Sequence, residues 1–419
     1  MKKVFMIAHQ FPPVAGSGVQ RTSKFVKYLP GLGYEPIVFT IKPLKKNIDK
    51  SLEADIDPKI KVIRSKPFSI EQKDGLLGII GKIIAYKLLL PDHMWLWYRF
   101  NRKKAYNYVK ENNIDLIYST SSPYSGHLMG LYIKKKLPKV KWIVDFRDEW
   151  TNNPYILDKN YNVIRKAIEK KMERKVAYTC DQFITNTPLM LKAFLKDYDI
   201  GNKSYVIPNG FDKDDFDGFN REFPNNKKMN ITYSGAIYGR TKPDAFFLAL
   251  KQAIENKVID ENKIIVKIIG SYSPKLVDRM NAIFPYEKVL RFLPYMPHKE
   301  SVGKLLEADV LLFIIGIGKG SEKIYTGKIF EYFYANRPMI AMVPENSVAG
   351  DIIEETNTGE LCGNDDPDSI YKVITQMFHQ WEKGQLVHQP NWEEISKYER
   401  AMLTQRLVDV FDNAFSQKG

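Results

Sequence analysis

Cysteine is almost missing from this chain: Cys180 and Cys362 are its two, far apart and without a CxxC or Cys/His spacing. That excludes a disulfide framework and a thiolate zinc site, and it makes a reducing cytoplasm the expected setting. Long apolar runs are missing as well. The nearest, GLLGIIGKIIAYKLLL at 75–90, falls short of the ~20 residues a spanning helix needs and is interrupted by Lys82 and Lys87. The opening MKKVFMIAHQFPPVAG holds a short apolar stretch followed by prolines and a glycine, so it reads as a first β-strand rather than a signal peptide. There is no internal repeat and no low-complexity tract. Acidic residues are scarce in the first half: residues 1–200 carry 36 Lys and Arg against 19 Asp and Glu, whereas the rest carries 27 against 30. The whole-chain net charge of +14 therefore belongs to the N-terminal half. That half is expected to face something anionic, nucleic acid or an acidic membrane leaflet, although a generally lysine-rich proteome gives the same excess.

What is present is enough for two cores. With 419 residues, 44% hydrophobic and 13% aromatic, the chain exceeds what one core usually supports and predicts two α/β domains. Short apolar strands are predicted at KKVFMIA, PIVFTI, KVIRS (61–65), LIYST (116–120), WIVDF (142–146), QFITN (182–186) and YVIPN (205–209), with helical stretches between most of them. The first of these helices is predicted over Val19–Leu32. After a polar stretch at 223–230 a second series follows: NITYSG, IIVKIIG, VLRFLP, VLLFII and PMIAMV. Strands alternating with helices call for parallel βαβ units and doubly wound sheets, so two Rossmann-like domains in tandem are expected. We read 1–205 as the first, 206–394 as the second, and 395–419 as a C-terminal amphipathic helix that packs back on the first or stands apart.

Four segments carry chemistry. In PPVAGSGVQR, Gly16 and Gly18 lie between the first strand and the first helix, where backbone can approach an anionic ligand; a plain strand-to-helix turn stays open, and the glycine spacing is wrong for a dinucleotide. In WIVDFRDEW, Asp145, Arg147, Asp148 and Glu149 follow a strand directly, either as site residues or as an Arg–Asp pair closing the loop. In SGAIYGRTKP, Gly235 and Gly239 allow tight turns beside Arg240 and Lys242, two cations suited to a diphosphate. In YTGKIFEYFYANRPMIA, Thr326, Gly327 and Lys328 open a helix whose free N–H groups suit a phosphate, and Glu331 one turn on suits the hydroxyls of a ribose.

Taken together, PP-x-x-G-x-G, DFRDEW, VIPNGFD (206–212), YSGAIYGRTKPD and GKIFEY resemble the retaining family-4 glycosyltransferases of the GT-B fold over nearly the whole length. The resemblance implies two Rossmann-like domains facing across a cleft, with a nucleotide sugar bound mainly by the C-terminal one and an acceptor by the N-terminal one. It implies transfer with retention and no protein nucleophile. Glu331 matches the second glutamate of the family's E-x7-E motif; the first position holds Lys323, with Glu322 beside it. Lys242 matches the diphosphate lysine, Ala236 stands where an arginine is usual, and Arg240 is the substitute. Arg147 and Asp148 stand where many members have a histidine. The expected roles are therefore leaving-group stabilisation by Arg240, Lys242 and the Thr326–Lys328 amides, with Asp148 positioning a sugar.

No cofactor beyond the nucleotide-sugar co-substrate is expected. The Asp-x-Asp triplets at Asp55/Asp57, Asp197/Asp199 and Asp212/Asp214 do not end nucleotide-binding strands, so no metal is assigned. The acceptor is expected to be a glycan or a lipid-linked glycan of bacterial surface polysaccharide assembly, such as lipopolysaccharide or capsule. A peripheral contact with an anionic membrane is expected from residues 75–104, where Trp95, Trp97 and basic neighbours suit a headgroup region; an ordinary core helix stays open. Two other classes remain, a nucleotide-sugar epimerase of the same fold and a non-catalytic partner subunit. Nucleic acid is not expected, because no binding module accompanies the charge.

Overall fold

In the computed structural model, residues 1–43, 48–68, 89–157 and 161–416 are described. The chain forms two compact units, Met1–Pro208 with Arg400–Gly419, and Asn209–Glu399.

The first unit is built on a seven-stranded sheet of order β3-β2-β1-β4-β5-β6-β7, all pairs parallel. Its strands are β1 (Lys2–Ile7), β2 (Tyr34–Ile41), β3 (Lys61–Ser65), β4 (Leu116–Ser121), β5 (Lys141–Phe146), β6 (Gln182–Thr185) and β7 (Ser204–Val206). Every residue of β4 is buried, as expected of a parallel strand covered by helices on both faces. One face packs under the helices Trp95–Glu111 and Ser125–Lys136 around Phe39, Trp97, Ile117, Trp142 and Phe146. The other face holds Val4, Met6, Phe25 and Tyr118 together with Leu403, Leu407 and Phe411 of the C-terminal helix Arg400–Ser416. Asp412 on that helix accepts from Lys2 at 2.8 Å and from the Tyr34 hydroxyl at 2.7 Å.

The second unit has a six-stranded parallel sheet of order β10-β9-β8-β11-β12-β13. These strands are β8 (Met229–Ser234), β9 (Ile264–Ile269), β10 (Leu290–Leu293), β11 (Val310–Ile314), β12 (Met339–Met342) and β13 (Gly359–Cys362). In each sheet the strand order reverses once, between β1 and β4 and between β8 and β11. Loops at the carboxyl ends beside such a reversal diverge and leave a crevice, which is where open α/β sheets bind ligands.

The structure differs from the sequence reading in particular places. The first helix runs Ser17–Tyr28 and gives way to a 3-10 turn at Leu29–Leu32, because Pro30 cannot continue it and Gly33 takes φ 87. Strand β13 was not foreseen. The C-terminal helix starts at Arg400, after a separate short helix Trp392–Ser396. Trp97 is not a headgroup residue. It is fully buried, its indole N–H donates to Ser65 Oγ at 2.8 Å, and its ring meets His9 edge-on at 5.2 Å, so it belongs to the core. The apolar run at 75–90 lies, through residue 88, outside the described residues. Among the described residues no helix is long and apolar enough to cross a membrane.

Candidate active site

The carboxyl edge of the second sheet gathers most of the residues expected to hold a donor. After β8 the chain turns at Gly235, whose φ of 138 is one that L side chains rarely adopt. A β-carbon there would lie 2.6 Å from Lys328 Nζ. The turn is fixed from below: the Ser234 N–H donates to the Tyr332 hydroxyl at 2.8 Å, and Tyr332 is buried in the helix Lys328–Ala335. Lys328 itself crosses the turn, donating to the Tyr233 hydroxyl at 2.8 Å with its ammonium 4.1 Å from the Tyr233 ring centre. Gly270, after β9, comes so close that a β-carbon would lie 2.3 Å from the Gly235 carbonyl oxygen. Four features thus meet: an open glycine turn, a cation laid over it, a helix N-terminus at Thr326–Gly327, and Glu331 on the helix's first turn. The Thr326 hydroxyl is buried there without a hydrogen-bond partner.

Glu331 faces His298, the first residue of the helix His298–Leu306, with Nε2 to Oε1 at 2.9 Å. Both side chains keep about a sixth of their surface in solvent, 16% and 17%. The carboxylate is thus oriented by a neighbour while remaining reachable. Sequence reasoning missed His298, and the available signal was a histidine starting a helix right after β10. Arg240 is where it was expected in sequence but is already employed. Its backbone lies against Gly316 and its guanidinium against Gly318, where in each case a β-carbon would come to 2.5 Å, and the guanidinium donates to the Lys319 carbonyl at 3.1 Å and Ser321 Oγ at 3.2 Å. It ties the loop after β8 to the loop after β11, across the reversal point. Lys242, further along the first loop, is exposed. Glu322 and Lys323 sit in a 3-10 turn, Ser321–Lys323, both partly exposed.

The corresponding edge of the first sheet is arranged differently. Asp145, at the end of β5, is fully buried and takes a bidentate contact from Arg21, at 2.7 Å and 2.9 Å, along with a short hydrogen bond from the Tyr118 hydroxyl. Arg21 also donates to the Pro208 and Ile207 carbonyls at 2.7 Å and 2.9 Å. The structural pairing weighed for Asp145 is therefore present, with Arg21 rather than Arg147 as its cation. Arg147 donates to the carbonyls of Gly18 and Ser121 and, at 2.8 Å, of Ser122. It occupies the space beside Gly18, where a β-carbon would sit 2.4 Å from Nη1, so the close approach allowed by that glycine serves Arg147. Gly16, at φ 144, caps the helix Ser17–Tyr28. Asp148 is partly exposed, and its carboxyl is raised above the usual range by loss of hydration and by Asp145, against the opposing pull of Arg147. Two histidines of this unit, His9 and His127, are buried and held neutral, with burial lowering each to about 3.

The acidic triplets are used locally. Asp55 pairs with Lys24 at 2.8 Å, Asp197 pairs with Lys170, and Asp212 caps a 3-10 turn by accepting from the Asp214 N–H at 3.1 Å. A cavity of about 530 Å³ does exist in the second unit, lined by Phe223, Asn226, Lys263, Asp309 and Trp381. Asn226, Lys263 and Asp309 lie just before β8, β9 and β11, so it opens at the amino ends of the strands, away from the Gly235–Lys328–Glu331 group.

Residues 18–215 match the model of the family described as Glycosyltransferase Family 4. Over those residues, just under half of its length, the chain is similar to that family. The fold has solved counterparts along its full length. A glycosyltransferase from Rickettsia africae ESF-5 aligns at TM-score 0.65 and 15% identity, covering 100% of this chain and 99% of the other. Anabaena Alr3699/HepE, solved in complex with UDP and glucose, aligns at 0.67 and 12%, covering 99% and 100%. A putative UDP-N-acetylglucosamine 2-epimerase from Listeria monocytogenes aligns at 0.60 and 10%, covering 100% and 98%. At such identities the likeness shows a GT-B-like fold, two parallel α/β sheets, for this chain. No curated protein matches it.

Proposed function

We propose that this protein is a glycosyltransferase that takes a nucleotide sugar as donor on its C-terminal unit and transfers the sugar, a hexose, to a hydroxyl of a glycan or lipid-linked acceptor with retention. The observation that carries the reading is the meeting of the Gly235 turn, Lys328, the Thr326–Gly327 helix start and Glu331 at one sheet edge. A diphosphate fits a glycine turn roofed by an ammonium and faced by free backbone N–H groups, and these donors are preorganised before charge develops. Glu331, already oriented by His298, is suited to accept from both ribose hydroxyls.

In the reaction, the bond between the sugar's anomeric carbon and the diphosphate oxygen breaks and its electron pair leaves with the nucleoside diphosphate. The acceptor oxygen forms its bond to that carbon from the same face, and its proton passes to the departing phosphate. Lys328 and Lys242 offset the charge that develops on the leaving group, while Arg240 holds the two loops in register. Asp148 positions a sugar hydroxyl from the N-terminal unit. The UDP and glucose bound to the Anabaena protein favour a uridine nucleotide with a hexose as the first donor to try. The excess of basic residues in the N-terminal half suits an acceptor anchored at the inner face of an anionic membrane, as in surface polysaccharide assembly.

The test is thermal stabilisation of the purified protein by a panel of nucleoside diphosphates and nucleotide sugars, with Glu331→Ala and Lys328→Ala alongside. The expected result is a selective rise in Tm for one nucleotide family, reduced in both variants by about tenfold or more in apparent affinity. No rise with any nucleotide, or epimerisation of the donor in the absence of acceptor, would overturn the reading.

A further inference from the structure

The helix Val163–Thr179 of the N-terminal unit presents two unlike sides. Inward, Arg165 and Glu169 pair at 2.6 Å, and Glu173 accepts from the Thr151 N–H at 2.7 Å and from the Tyr198 hydroxyl at 2.5 Å. Both carboxylates of the helix are buried and in use. Outward, Val163 and Ile164 are 81% and 72% exposed and Ile168 is 38% exposed. Lys171, Arg174 and Lys175 continue the same exposed side toward the C-terminus, and no acidic residue of the helix lies among them. The neighbouring helix Ser125–Lys136 ends on three lysines. Lys135 there lies beside Lys175, and that contact lowers the Lys135 ammonium from its ordinary pKa. A cluster of like charges without a counter-ion among the described residues, beside aliphatic side chains open to water, is unfavourable until something anionic and apolar covers both.

We propose that this side of the helix is a docking surface for an anionic lipid bilayer, with Val163, Ile164 and Ile168 entering the interfacial layer and Lys171, Arg174 and Lys175 at the phosphates. The aliphatic groups project from the convex surface of one helix, which suits insertion between lipids better than the shaped contact a folded acidic protein needs. Long flexible cations likewise suit phosphates that diffuse laterally. The proposal deepens the membrane-anchored acceptor reading above, on which its purpose rests, but its observations are separate from the donor site.

The experiment is flotation of the full-length protein with vesicles of phosphatidylcholine alone and of phosphatidylcholine with phosphatidylglycerol in equal parts. Binding is expected to the anionic vesicles and to weaken as salt rises. Ile164→Asp with Ile168→Asp is expected to lower it about tenfold or more, and Lys171→Ala with Lys175→Ala to remove about tenfold of the preference for anionic lipid. Unchanged Tm and unchanged stabilisation by nucleotide in both variants show that the fold and donor site are intact. Equal flotation of variants and wild type overturns the proposal. So does an absence of vesicle binding, including the case where the same residues instead capture an acidic protein. Failure of nucleotide stabilisation with vesicle binding preserved would remove the donor reading and leave this surface standing.

Discussion

The two sheets share a plan, yet their carboxyl edges use charge in opposite ways. In the first unit Arg21, Asp145 and Arg147 spend nearly all of their hydrogen-bonding capacity inside the protein, on each other and on backbone carbonyls. In the second unit Lys328 is oriented by Tyr233 and Glu331 by His298, yet both side chains remain partly open, and Lys242 is exposed. A charged residue after a strand is therefore not a site residue by position alone. What separates the two edges is whether the capacity has been consumed before a ligand arrives.

Removing charge should affect the two edges differently. Asp145→Ala leaves the Arg21 guanidinium buried and unpaired, and is expected to destabilise the first unit by about 3–5 kcal/mol. Denaturant unfolding followed by hydrogen exchange would locate the loss, which should spare the second unit; an even loss across both would break the comparison. Acid should separate the units less sharply. His9 and His127 have folded-state values near 3, below the unfolded value near 6.5, so the unfolded chain binds more protons below pH 6.5 and stability falls from there toward pH 3. Each histidine should contribute a slope of about 1.4 kcal/mol per pH unit in that window. In the second unit His388 is likewise lowered, to about 4. The first unit should therefore show the steeper acid dependence, and His9→Phe should remove one histidine's share of it. The smallest effect is expected at Lys242→Ala, where stability should stay within about 0.5 kcal/mol while nucleotide affinity drops a few-fold. A larger loss of Tm would mean that Lys242 is structural, like Arg240.

Strands such as LIYST and IIVKII were legible because a parallel strand buried on both faces reads as a short continuous apolar run. The edge strand β13, GELC, escaped because it is short, begins with glycine and buries fully only Cys362. Gly235, Lys328 and Glu331 could be picked out because a glycine turn and a helix start are local signals. The role of Arg21 was not local at all, since its partner lies 124 residues away and nothing in the helix sequence marks it. His298 stayed hidden for the same reason, being 33 residues from Glu331. Trp97 shows the opposite failure, in which a composition suited to a membrane surface belonged to a core residue whose indole N–H had found a buried hydroxyl.

The packing of Arg400–Ser416 against β1 and the helix Ser17–Tyr28 also bears on how the chain matures. Emerging from the ribosome, the first unit is the earlier of the two to be synthesised, yet one apolar face lacks Leu403, Leu407 and Phe411 until the whole second unit has been translated. The second unit, continuous in sequence from Asn209 to Glu399, meets no such delay. The half that is made first is thus the half that finishes last, and its uncovered sheet face is the surface a chaperone would have to shield in the interval.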